Sequence, residues 1–333
     1  MTTTRQLYIE GLEAHQELRE AVQGIIALGG MLGTESPRIE GCESLADSMR
    51  DLGNGMFSVS KWVGGKTIGV FSSVLSAAGT ALMRSFSDNE TLIKRLLQQA
   101  DKSDDKEFTL SKEALVGITA EGDIDSISKD MDTFIHSLDI LDKHSKDLLS
   151  YLDKQLLIVR KLKSVRDTGG IFSVVEEFGG LVYPAFKLQN HRGDTYTSDT
   201  LPGGKTWTFE HGDVKSPKYL MDGDTPAGGG SSVTFSKSEI SALLTKLDKV
   251  NSMHKRLKQS YDSYLTYLKS WSETVRNVDA NLNKLEEVSA GAMREAEKIL
   301  VGDTTTLAFY SGFTPRVVSS TDRYIHGVLG VFA

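Results

Sequence analysis

The stretch Ile240–Leu300, ISALLTKLDKVNSMHKRLKQSYDSYLTYLKSWSETVRNVDANLNKLEEVSAGAMREAEKIL, decides the fold class. It sets Ile240, Leu243, Leu247, Val250, His254, Leu257, Tyr261, Tyr264, Leu268, Trp271, Val275, Val278, Leu282, Leu285, Ser289, Ala292, Ala296 and Ile299 at alternating steps of three and four. Only His254 and Ser289 interrupt the apolar series. A 3.5-residue period marks one seam of a long helix that packs along a partner helix. At 1.5 Å per residue the segment predicts a single rod about 90 Å long. Its heptad seam is carried by Leu257, Tyr264, Leu268, Trp271, Val278, Leu282 and Leu285.

A second series runs through Ile127, Met131, Phe134, Leu138, Leu141, Ser145, Leu148, Leu152, Gln155, Val159 and Leu162, enough for a helix of about 55 Å. The economical arrangement packs the two helices antiparallel, with the connecting segment at one end. His254, Ser289, Ser145 and Gln155 are expected to set register, because a polar seam residue costs stability but excludes other pairings. A proton-sensing role for His254 would need an acidic partner in space.

The segment between the helices differs in composition. Residues 167–236 hold turn-like NHRGD, LPGGK and MDGDTPAGGGSS and strand-like LVYPAF, TWTF and SVTF, which predict a β-rich module at the tip of the helical pair. Its His191, His211, Asp194, Asp199, Asp213, Asp222 and Asp224 do not have the spacing of a zinc or calcium site, and tight-turn chemistry accounts for the aspartates. No metal ligands and no cofactor are assigned.

Lys61–Met83, KWVGGKTIGVFSSVLSAAGTALM, admits three readings. Lys66 and Thr67 match only half of a phosphate-binding loop, because Ser60 stands where its first Gly is required and no buried strand precedes it. Thr67–Met83 carries no charge, but its 17 residues include three Ser, two Thr and two Gly, which weakens partition into hydrocarbon. Gly65, Gly69, Ser73, Ala77 and Ala81 recur every four residues, which predicts a small-residue face suited to close packing against a protein helix or, conditionally, a membrane. Helical patterns on either side predict an amino-terminal bundle over residues 1–122. The long pair then occupies 123–166 and 237–300. Residues 301–333 are apolar and aromatic and are expected to dock into a core or a partner groove.

Composition restricts the function. The 333-residue chain has a formal net charge of -7, which argues against general nucleic-acid binding while allowing a local basic patch. Cys42 is the only cysteine, so neither a disulfide within the chain nor a Cys-based zinc site can form. It lies between Glu40 and Glu43, neighbours that raise a thiol pKa, so it is a poor nucleophile. The amino terminus does not read as a Sec-type signal peptide, and any export is expected to take another route. Gly-x-Ser-x-Gly, His-Glu-x-x-His, dinucleotide and paired-Cys motifs are absent from the sequence, and no catalytic residue is assigned.

The segment IEGCESLADSMRDLGNGMFSVSKWVGGKTIGVFSSV (39–74), the long heptad helices and the tail TPRVVSSTDRYIHGVLGVF (314–332) resemble internal head and other virion structural proteins of large tailed bacteriophages. The resemblance is one of style over most of the chain and transfers no functional residue. It implies a non-enzymatic protein without a small-molecule substrate, made in the host cytoplasm and carried in the virion. Its partners would be other virion proteins or copies of itself, near packaged DNA. The β-rich insertion departs from that pattern, and the acidic charge fits direct DNA contact poorly. The rival class is a helical pore-forming toxin or secretion translocator, exported without a signal peptide, that inserts residues 56–83 into a membrane. The expected fold is mainly α: an elongated, antiparallel, coiled-coil-like bundle of long helices with a small β-rich insertion.

Overall fold

The computed structural model describes residues 3–31, 66–100, 106–110, 112–211, 217–224, 226, 231–285, 288–300 and 304–332. Gly65, Cys42 and the first part of the 56–83 segment lie outside them. The described chain is mainly helical, with a small four-stranded antiparallel sheet.

The long helix α6 spans Lys237–Leu282. Ser236 and Glu239 form a reciprocal capping box at its start, which satisfies two amides that a helix otherwise leaves unpaired. Leu257, Tyr264, Leu268, Trp271, Val278 and Leu282 are buried along it. The rod expected to reach Ile299 instead stops at Leu282, and a separate helix α7 spans Ala290–Leu300. Two polar residues make the break. Asn281 donates its side-chain amide to the carbonyls of Leu162 (3.0 Å) and Val165 (3.4 Å). Ser289, the seam's polar exception, accepts from the Ala292 amide (3.2 Å) and so caps α7. Leu285 lies in the connection, partly buried against the core.

Helix α4 spans Ile127–Lys161, and it runs parallel to α6 rather than antiparallel. Three cross-links fix the direction: Lys246 Nζ to Asp132 (2.6 Å), Arg256 to Asp139 (2.6 Å), and Asn281 to the carbonyl of Leu162. Both numbers rise together along the pair. The chain leaving the end of α4 must therefore travel back along the whole pair, roughly 50 Å at 1.5 Å per residue, before α6 can begin. Residues 162–236 make that return, through helix α5 (Thr168–Gly179), an extended run and the sheet. The sheet consequently lies along the flank of α4 and not at a tip.

Strands β2 (Asn190–Arg192), β3 (Thr195–Thr197), β4 (Thr206–Glu210) and β5 (Lys218–Asp222) form a meander in sequential order. Alternation along β4 turns Trp207 and Phe209 inward. There they meet Phe186, Phe134 of α4 and the buried His144, whose ring stacks on Phe186 at 4.7 Å. A two-stranded antiparallel ribbon pairs β1 (Lys106–Leu110) with β6 (Ser231–Phe235), just before α6.

The antiparallel partner of α6 is α2, Lys66–Ala100. Asn89 meets Asn251, and Gly79 faces Lys258. Helix α1, Thr4–Met31, is in turn antiparallel to α2, through Gln99 with Thr4 and Arg84 with Glu17. Helix α9, Thr314–Phe332, runs antiparallel to α1 and enters the middle of the bundle, with Val317, Val318, Ile325, Val328 and Leu329 buried. A short helix α8 (Thr304–Ala308) and a π turn (Phe309–Phe313) lead into it. Pro315 has no amide hydrogen to complete the regular ladder at that point, and Thr314 Oγ1 donates to the Phe309 carbonyl at 2.5 Å. The apolar tail is thus covered by its own chain.

Among the described residues the four-residue small-side-chain series does not pack as one face within the chain. Gly69 lies in α2, Ser73 and Ala77 are exposed, and Ala81 is buried. Each step of four residues overshoots a helical turn by about 40°, so the series rotates from solvent into the core. Leu75 and Leu82 supply the bulkier buried side chains beside Ala78 and Ala81.

Candidate functional site

Helix α9 carries two sites on different faces. Asp322 and His326 are one turn apart and point toward α1, while Arg316, Ser319, Ser320 and Arg323 line a pocket against α3 (Lys112–Ile118) and the sheet.

Asp322 is fully buried. One carboxylate oxygen meets Nδ1 of His15 from α1, and the other accepts from the Ser85 hydroxyl of α2 at 2.7 Å. Asn89 extends the network by donating to Ser85 Oγ (3.2 Å) and Asn251 Oδ1 (3.3 Å), and Asn251 donates to the Phe86 carbonyl (3.0 Å). His326 Nε2 stands 3.9 Å from Asp322 Oδ1, and its ring lies 4.7 Å from that of His15. Gly11 faces the His326 ring, where a Cβ would make an ordinary 3.6 Å contact with Cε1.

One turn beyond Asn251, His254 is fully buried and neither ring nitrogen has a hydrogen-bond partner among the described residues. The same is true of both His326 nitrogens. An unsatisfied buried polar group costs about 1–3 kcal/mol, so four such nitrogens around one carboxylate are not neutral packing. Burial alone would raise the Asp322 carboxyl. The hydrogen bond from His15 and the nearby His254, His326 and His15 charges outweigh that and hold it below the usual carboxylate range. Burial lowers His326 to about 4 against the attraction of Asp322, and it lowers His254 as well. Asp322 acts on His254 only through its charge, and the two make no hydrogen bond or ion pair among the described residues.

His15, Asp322 and His326 form the one group of His, Cys, Asp and Glu among the described residues with donor atoms close enough for a metal ion. The histidines and aspartates singled out in the β module go elsewhere: His191 stacks on Tyr196 at 4.3 Å, and Asp199 accepts from Asn190 at 2.9 Å.

The second site is an open pocket of about 550 Å³. Lys205, Arg316 and Arg323 line it together with Gln23, Ser319 and Ser320, and no acidic side chain among the described residues does. Lys205 Nζ is held by the Gly223 carbonyl at 2.9 Å. Arg316 and Arg323 make no ion pair among the described residues. On a chain of net charge -7 this is a local basic patch with free guanidinium groups. Such groups suit bidentate binding of carboxylate or phosphate.

No family model, curated protein or solved structure matches the chain. Neither site was legible in the sequence. Asp322 and His326 had one visible signal, an acid and an imidazole at i and i+4 inside an otherwise apolar tail. His15 looked like any residue of an amphipathic helix.

Proposed function

We propose that the protein is a non-enzymatic structural component of a bacteriophage virion, belonging to the internal head or its assembly apparatus. It acts as an elongated, coiled-coil-like helical scaffold that binds other chains. The observation that carries this reading is the cationic pocket of Lys205, Arg316 and Arg323. The heptad seam and the tail are occupied within the chain, so recruitment falls to the surface. A basic pocket on an acidic protein favours acidic segments of a virion partner or of a second copy over general DNA binding.

The test is quantitative peptide mass spectrometry of particles purified from the host that expresses this gene. The wild-type chain is expected at many copies per particle, and Arg316→Glu with Arg323→Glu at several-fold fewer for equal expression. A chain confined to the soluble lysate overturns the reading.

The pore-forming alternative has one feature in its favour, the outward-facing Ser73 and Ala77 of α2. Against it, no helix among the described residues is long and apolar enough to cross a membrane. Insertion of 56–83 would require α2 to leave α1 and α6.

A further inference from the structure

We propose that His15, Asp322 and His326 bind one divalent transition-metal ion of the zinc class and thereby staple α1 and α9 together. The donor atoms of His15, Asp322 and His326 all lie within 4.8 Å of one another. A tetrahedral zinc ion sets its ligand atoms about 3.3–3.5 Å apart, so side-chain rotations of an ångström or so close the set. The two helices that bring these residues together lie at opposite ends of the described chain and also pack through their apolar faces.

The donor types choose the metal. Imidazoles with one carboxylate suit zinc, cobalt, nickel or copper, whereas calcium or magnesium would need six or more oxygens. Here the oxygens near the centre are those of Asp322 and the Ser85 hydroxyl. Neither ring nitrogen of the buried His326 has a hydrogen-bond partner among the described residues, so the lone pair of its neutral imidazole is left for a metal to use. Ser85 and Asn89 supply the outer hydrogen bonds that orient a ligating carboxylate. Two of the three ligands, Asp322 and His326, are buried between helices, which favours a structural site over one with an open position for substrate.

The experiment uses the full chain with any affinity tag removed, stripped with chelator and titrated with Co²⁺ as the probe. One equivalent is expected to bind, with the visible d–d absorption of a four-coordinate ion, and Zn²⁺ is expected to displace it. Zn²⁺ at 100-fold over its Kd is expected to raise Tm by on the order of 5 °C. His15→Ala is the primary variant because His15 is partly exposed and its truncation leaves the α1 core intact. His15→Ala and His326→Gln should each weaken Co²⁺ binding by more than about 100-fold, and Ser85→Ala by roughly 10–100-fold. His191→Ala should leave binding unchanged. A cooperative melt of each variant checks folding. Failure of the wild-type chain to bind stoichiometric Co²⁺ overturns the proposal, as does full retention of binding in folded His15→Ala.

Discussion

His144 gives the most direct reading of burial through a titration. Its Nε2 meets the Tyr219 hydroxyl at 2.6 Å, its ring lies against Phe186 and Phe309, and its Nδ1 has no partner among the described residues. Burial lowers its pKa to about 3, against an ordinary value near 6.5. The sign follows from which state takes up the proton. Above pH 6.5 both states hold the ring neutral and stability is whole. As pH falls below that value the unfolded chain protonates and the folded chain does not, so stability declines until the folded pKa is reached. Between pH 7.5 and 5.0 the unfolded state gains about 1.5 log units of proton binding, or about 2 kcal/mol. Urea unfolding at the two pH values, with chelator present, measures the loss. His144→Leu is expected to lose about 2 kcal/mol less than wild type over that interval. The buried His254 and His326 remain in both chains and cancel in the difference. Asp88 and Asp248, raised by burial, also cancel. Coincident pH dependences for the two chains would refute the assignment of a buried, uncharged His144.

Two further outcomes are expected. A Cβ at Gly330 would come 2.8 Å from the Tyr8 hydroxyl, so Gly330→Ala should be neutral or destabilising alone and stabilising by up to about 1 kcal/mol in a Tyr8→Phe background, a sign change read from paired urea melts. Ala77 is exposed, so Ala77→Asp should keep the wild-type urea midpoint, and neither chain should release dye from liposomes; leakage by wild type that Ala77→Asp abolishes would put the pore-forming reading ahead of the virion one.

The helical character was legible because a seam repeated along one face survives any choice of partner. Leu257, Trp271 and Val278 are buried whichever helix covers them. Direction was not legible. Heptads in α4 and α6 carry no sign of whether the two run parallel, and the choice depended on a connection whose course back along the pair lies in turns and short strands. The helix break was present as Ser289, a strong capping residue in a seam position, but the continuing apolar spacing of Ala292, Ala296 and Ile299 masked it. The basic pocket could not be read because Lys205 and Arg323 are distant in the chain and their neighbours in the sequence are ordinary surface residues.

The contact between His15 and Asp322 joins residues 307 positions apart. At a synthesis rate of roughly 5–20 residues per second, the first helix waits on the order of 15–60 s for the strand of chain that completes it. Throughout that interval Leu18, Val22 and Ile25 have no α9 to share their core, and the ribosome carries a sticky half-built bundle. Chaperone depletion is therefore expected to lower the soluble yield by leaving that half-built core uncovered for longer.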